Sequence, residues 1–263
     1  MRNRISIIIN LIFCAISSLA QKPSFPYPII PDSLKTIERR MEHLCLHYWD
    51  DYDFADTLQL HDANITEQGF VNYIDLLPHL SKESARNSVS GFAKKAFTMP
   101  SSKSKFESLI EHYFDDPQSP MRNDMIYLLF LRNMQESSLF DETEKERIEY
   151  KIKRHNKNLP GNTALNFSFM GKDGKPHQLS DYKQEKVILY FYDPDCENCH
   201  RTSAWLSQQS IPQEYQIVMV HADEEISDLY SLQAMPTIYL LDKENQVILK
   251  DCSAQKLIEH LVP

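Results

Sequence analysis

Along residues 32–157 apolar positions recur every three or four residues, the spacing that lines one face of a helix. Leu34, Ile37, Met41, Leu44 and Tyr48 form one such stripe, and Phe106, Leu109, Ile110, Tyr113 and Phe114 a second. Weaker stripes pass through Phe70, Ile74 and Leu77, and through Val89, Phe92, Ala96 and Phe97. Residues 125–131 are apolar on every side, which predicts a helix buried at the centre of a bundle. Asp141, with Glu144 three positions on, predicts the capped start of a last, highly charged helix reaching about His155. Pro78, Pro100, Pro117 and Pro120 fall at or near the breaks between these segments.

After Asn158-Leu159-Pro160-Gly161 the pattern changes. Residues 166–170 and 177–179 read as short extended stretches around Lys172-Asp173-Gly174-Lys175, a turn with Asp-Gly at its centre. Residues 187–192, Val-Ile-Leu-Tyr-Phe-Tyr, form a continuous apolar, β-branched and aromatic run, as expected of a strand covered on both faces. Residues 215–220 read as a second buried strand, with a helix-compatible segment over 197–209 between them. Residues 237–241 and 246–249 flank Asp242-Lys243-Glu244-Asn245 as a hairpin, and 254–261 close the chain with an amphipathic helix. The expected fold is therefore a two-domain α+β chain. An all-α bundle (22–157) and a short linker (158–161) precede an α/β domain with a mixed central sheet (162–263).

The first twenty residues, MRNRISIIINLIFCAISSLA, stand outside both domains. Two arginines, a short apolar run and a small-x-small ending at Ala20 predict a secretory signal peptide cleaved near Ala20, hence an exported, periplasmic protein. The whole chain carries 28 basic and 37 acidic residues, a formal charge of −9, and loss of Arg2 and Arg4 with the peptide makes it more acidic still. Such a balance repels phosphate backbones, so nucleic acid is not an expected partner.

Cysteine usage then changes the picture. Beyond Cys14 in the leader there are four: Cys45, Cys196, Cys199 and Cys252. That is too few for a disulfide-stapled scaffold. Cys45 lies on an apolar helix stripe and reads as a buried free thiol, and Cys252 reads likewise as unpaired. Cys196-Glu197-Asn198-Cys199-His200 carries the chemistry, and its pattern has more than one meaning. C-x-x-C-H is a c-type haem attachment signal, and two thiolates with an imidazole could also begin a metal site. Haem attachment calls for a helical cage around the motif, and a closed zinc site calls for a fourth ligand and usually a second paired motif, which the sequence lacks; no metal is expected. Here the motif follows a buried strand directly and opens a helix. Unpaired N–H groups at a helix start stabilise an anion, and the thiolate is the reactive form of cysteine. Cys199, one turn on, is placed to resolve a mixed disulfide formed at Cys196.

These pieces together resemble the thioredoxin-fold thiol–disulfide oxidoreductases, in particular the exported ResA/TlpA-like branch. The matching features are the hairpin before Val187, the strand leading into Cys196-Glu197-Asn198-Cys199, and Met235-Pro236-Thr237 entering a strand, followed by Ile238-Tyr239-Leu240-Leu241-Asp242 and a final helix. The helical half, with the Asp193-Pro194-Asp195-Cys196 entry, is more loosely similar to two-domain proteins of Bacteroidetes type, whose helical part has no established role. The resemblance implies a thioredoxin-like fold for 162–263 and a redox-active Cys196–Cys199 disulfide that needs no other cofactor. It also implies a cis Pro236 and a Met235 backbone that pairs with an extended substrate segment. Cysteine-containing protein substrates and a membrane electron donor are the expected partners. Three positions depart from the family: Asp195 stands where Trp is common before the first cysteine, and Tyr190 and Thr202 stand where acids help move protons off the resolving thiol. Asp193, Asp195 and Glu197 oppose formation of the Cys196 thiolate while the helix start and His200, if protonated, favour it; three acids against one His point to a reducing rather than an oxidising poise. A non-catalytic alternative, in which the helical domain binds a partner and the second domain is a scaffold, leaves the two cysteines unexplained.

Overall fold

The computed structural model describes residues 24–171 and 173–262. The expected leader, 1–20, and Lys172 of the expected turn lie outside the described residues. Among the described residues seven α-helices come first: α1 Ile37–His47, α2 Thr57–His61, α3 Gln68–Leu76, α4 Lys82–Ala96, α5 Pro100–Phe114, α6 Asp124–Glu136 and α7 Glu142–His155, with a short π-helix (Ala63–Glu67) and a 3-10 turn (Leu77–His79) between them. Their ends follow local chemistry. Ser81 and Asn123 cap α4 and α6 through their side chains, Pro100 occupies the first turn of α5, and Asp141 with Glu144 forms a reciprocal capping box at α7. Among the described residues no helix is long and apolar enough to cross a membrane.

The helical core is aromatic. Trp49 sits among Phe25, Tyr52, Phe54, Tyr73, Phe92 and Phe106, with ring centroids 5.1–5.8 Å from its own. Phe25, from the extended segment before α1, plugs this cluster against the backbone of Gly69, where even a methyl group would come within 2.1 Å of its ring. Residues of α6 from Ile126 to Leu131 are buried apart from the half-buried Leu129, as the all-apolar run predicts. The expected stripe on α1 holds only in part: Cys45 and, just beyond the helix, Tyr48 are buried, but Ile37 is 77% exposed. Ile37 is the first residue of α1, whose first turn is exposed.

The second half contains β1 Ser168–Met170, β2 Pro176–Gln178, β3 Lys186–Tyr192, α8 Glu197–Leu206, β4 Tyr215–His221, α9 Glu224–Tyr230, β5 Thr237–Leu241, β6 Val247–Cys252 and α10 Ala254–Leu261. The four-stranded sheet runs β4-β3-β5-β6, with β3 and β4 parallel and the other pairs antiparallel. β1 and β2 form a separate antiparallel hairpin. Side chains alternate across β3, as the period of two requires. Val187, Leu189 and Phe191 pack with α9 and the hairpin, whereas Ile188 and Tyr190 pack with Leu206 of α8 and Leu257 and Leu261 of α10. β4 corrects the sequence expectation. It is an edge strand, and of its residues only Val218 and Val220 are buried. An apolar run reports β-propensity, not which edges of a sheet stay uncovered.

The halves meet through charge. Lys250 Nζ reaches Asp124 Oδ2 at 2.7 Å and the carbonyls of His155 and Lys157 at 3.0 and 2.7 Å, while Arg122 pairs with Asp251. Lys250 and Asp251 are consecutive, and in a regular strand they would point to opposite faces. β6 shifts register between its pairings with Ile238 and Leu240, and Asp251 has φ +48°. This bulge turns both side chains toward the start of α6.

Candidate functional site

β3 ends at Tyr192, and a tight turn carries the chain into α8. Asp193 builds that turn: its Oδ1 accepts the Asp195 N–H at 2.8 Å and its carbonyl accepts the Cys196 N–H at 3.1 Å, an Asx turn of the kind short acidic side chains make. From the helix side, His200 Nε2 donates to the Pro194 carbonyl at 2.8 Å. His200 therefore braces the loop before Cys196.

Cys196 is the N-cap of α8, and its Sγ accepts the Cys199 N–H at 3.1 Å. The two cysteines form a disulfide with Cα atoms 5.2 Å apart. They are unequal in access: Cys196 is half-buried and Cys199 is 2% exposed. When the bond is reduced, the same N–H and the positive end of the helix dipole favour a thiolate at the accessible sulfur.

Met235-Pro236 faces this pair from the loop before β5, and its peptide bond is cis. The Met235 carbonyl lies 3.7 Å from Cys196 Sγ and accepts from Asn198 Nδ2 at 3.4 Å. Thr237, the first residue of β5, donates through Oγ1 to the Ala234 carbonyl at 2.7 Å and tightens the same loop. The fold thus brings Cys196, Cys199, Met235 and Pro236 into one shallow site, with Asp195 and Glu197 exposed at its rim. Among the described residues no group of three His, Cys, Asp or Glu side chains is arranged to hold a metal ion.

Tyr190, at the position where thioredoxin-fold enzymes place a buried acid, is fully buried and donates to the Cys199 carbonyl at 2.8 Å. Burial pushes its phenol up to about 12, so it stays protonated near neutral pH and serves as an anchor for the first turn of α8, not as a base. Sequence reasoning missed Asn198 and Thr237. Asn198 counted only as a spacer between the cysteines, although an amide donor at a helix start was a signal for a nearby carbonyl. The remaining thiols are unlike the pair. Cys45 and Cys252 are free and buried, and burial pushes each up to about 12, which leaves them protonated and unreactive.

Comparison with known proteins adds to this geometry. A family model described as "Domain of unknown function (DUF5106)" matches residues 7–158, and the AhpC/TSA family model matches residues 160–250. Over most of its length the chain is similar to the crystal structure of a thioredoxin-like protein from Bacteroides caccae, with 29% identity, a TM-score of 0.79, and coverage of 91% of this chain and 98% of that one. Shorter similarities extend to the C-terminal domain of an uncharacterized protein from Bacteroides fragilis (25% identity, TM-score 0.34, 40% of this chain and 99% of that one). They also extend to the thioredoxin domain of a thiol-disulfide oxidoreductase from Bacteroides vulgatus (14% identity, TM-score 0.33, 39% and 98%). No curated protein matches the chain.

Proposed function

This chain belongs to the DUF5106 family and carries a thioredoxin-like domain of the AhpC/TSA family behind it, and from that premise we propose that it is an exported enzyme that reduces disulfides in cysteine-containing proteins. One observation carries the reading: a half-exposed sulfur caps a helix, bonded to a buried partner one turn on and facing the Met235 carbonyl. The redox pair itself carries two electrons, so the reaction calls for no further cofactor.

In the reduced enzyme the Cys196 thiolate attacks one sulfur of a substrate disulfide. A mixed disulfide forms and the substrate's other sulfur leaves as a thiolate that takes a proton from solvent. Cys199 then loses its proton and attacks Cys196 Sγ. The mixed disulfide breaks, the substrate's second sulfur leaves and is protonated, and the Cys196–Cys199 disulfide remains. Burial of Cys199 keeps it from competing for the substrate in the first step. The Met235 backbone, whose carbonyl lies 3.7 Å from the reacting sulfur, is the edge to which an extended substrate segment would pair. A membrane dithiol donor would return the pair to the reduced state on the periplasmic side.

Insulin reduction at a controlled potential tests this. The wild-type chain should turn over and Cys196→Ser should lose all turnover, while Cys199→Ser should accumulate mixed disulfides with its clients. A Cys196→Ser variant as active as the wild type would overturn the assignment.

A further inference from the structure

The helical half touches the segment that presents Met235 directly on its upstream side and, on its downstream side, only through Asp251 of β6. Upstream, Ser231 Oγ donates to the Arg154 carbonyl at 3.1 Å. Donor–acceptor matching assigns the Gln233 amide with its oxygen toward the Arg154 guanidinium and its nitrogen toward the Asp115 carbonyl; so oriented, it accepts from Nη2 at 2.6 Å and Nε at 3.2 Å and donates to that carbonyl at 3.2 Å. Arg154 is itself fixed by an ion pair with Asp115. Lys157 Nζ donates to the Asp228 carbonyl at 2.6 Å, and Asn158 Nδ2 to that of Leu229 at 3.3 Å. Downstream, Asp251 is held by Arg122 and approaches Thr237 Oγ1 at 3.4 Å. Between Gln233 and Thr237 the loop runs only from 234 to 236, and its Met235 carbonyl lies beside Cys196.

We propose that the DUF5106 helical domain is a clamp on the substrate-binding loop of the thioredoxin-like domain, with Arg154 and Gln233 as positioning residues that set where the Met235 backbone meets a protein substrate. The proposal rests on the redox reading above and gives the helical half a part in it. A fork of guanidinium N–H groups on an amide oxygen fixes orientation as well as distance, which a single flexible ammonium would not. A small disulfide needs only the sulfurs, whereas a protein segment pairing with Met235 needs the loop held in register.

The full-length chain and its Arg154→Ala, Gln233→Ala and Lys153→Ala variants separate the possibilities. Lys153 is an exposed cation of the same helix outside the clamp. For Arg154→Ala and Gln233→Ala the KM for insulin should rise roughly fivefold with kcat little changed, the low end of coupling between sites. Reduction of glutathione disulfide, the potential of the cysteine pair and the Lys153→Ala control should stay unaltered. Amide exchange over residues 231–237 should quicken by a similar factor in the first two variants and not across β3. Equal losses on insulin and glutathione disulfide would overturn the clamp and indicate a merely structural role. If the wild-type chain reduces neither disulfide, the redox reading fails. The exchange experiment then decides the clamp alone, with quickening confined to 231–237 supporting it and unchanged exchange overturning it.

Discussion

The two halves of this molecule use aromatic and polar side chains in opposite ways. In the helical half many of the aromatic rings gather around Trp49 in one core, and the bundle closes over them. In the thioredoxin-like half the sheet divides its apolar residues into two thinner layers, and the chain's reactive groups gather where β3 stops and α8 starts. A bundle core has one inside and offers rigidity and an outer surface. A sheet with helices on both faces also has strand ends, where turns leave N–H groups free to meet a sulfur or a substrate. On the function and clamp proposed above, stability and positioning fall to the first half and chemistry to the second.

Removing Trp49 should break the helical half most severely. Trp49→Ala is expected to cost about 3–5 kcal/mol, toward the lower end because the indole N–H has no hydrogen-bond partner among the described residues. Urea unfolding followed by circular dichroism would measure it, and a cost below about 1 kcal/mol would contradict the picture of a core built around this ring.

The charged seam between the halves should make stability depend on acid. Burial works to raise the Asp124 carboxyl, but the hydrogen bond from His155 and the charge of Lys250 outweigh it and bring the group down to about 2. Asp115 is likewise held well below the usual carboxylate range: burial again opposes, and His155, Lys151 and Arg154 prevail. A carboxyl lowered on folding stabilises the fold above its unfolded value, near 3.9, and loses that contribution as pH falls toward the folded one. Asp251 has the opposite sign. Burial raises it despite the Arg122 charge, so its contribution is full at low pH and declines as pH rises through its folded value. The Asp124 part amounts to roughly 2 kcal/mol, lost between about pH 4 and pH 2. Asp124→Asn should flatten the urea midpoint over that window, and an unchanged acid limb would show that the seam does not couple the halves.

The smallest expected effect sharpens the chemical half. Replacing Asp195 and Glu197 with Asn and Gln removes two negative charges beside Cys196, and its potential should become more oxidising by up to about 30 mV, equivalent to about 1.4 kcal/mol for two electrons. Screening of exposed charges keeps the shift small. Equilibration with glutathione measures it, and a shift to a more reducing potential would refute the charge argument.

Much of this architecture is local and was legible along the chain. The capping box of Asp141 and Glu144, the buried strand before Cys196 and the all-apolar segment of α6 each follow from neighbours within a few positions. So does the sulfur at the N-cap, because the three-residue spacing of Cys196 and Cys199 and the start of α8 are written in consecutive residues. The position of β4 was not legible: its residues favour a strand equally at a sheet's centre or edge, and only the β4-β3-β5-β6 order exposes it. Tyr190 was identified as a departure from the family, yet its bond to the Cys199 carbonyl depends on how α8 folds back over β3.

What the chain determined by itself is the kind of most of its elements, several of their capped ends and which thiol caps a helix, since these depend on backbone propensity and contacts a turn apart. The tertiary structure alone decided that Met235 faces Cys196, that a bulge aims Lys250 and Asp251 at the start of α6, and that Gln233 meets Arg154. Those pairs are far apart in sequence, and their meeting is selected by the packing of whole layers and the register of distant strands, which no local periodicity encodes.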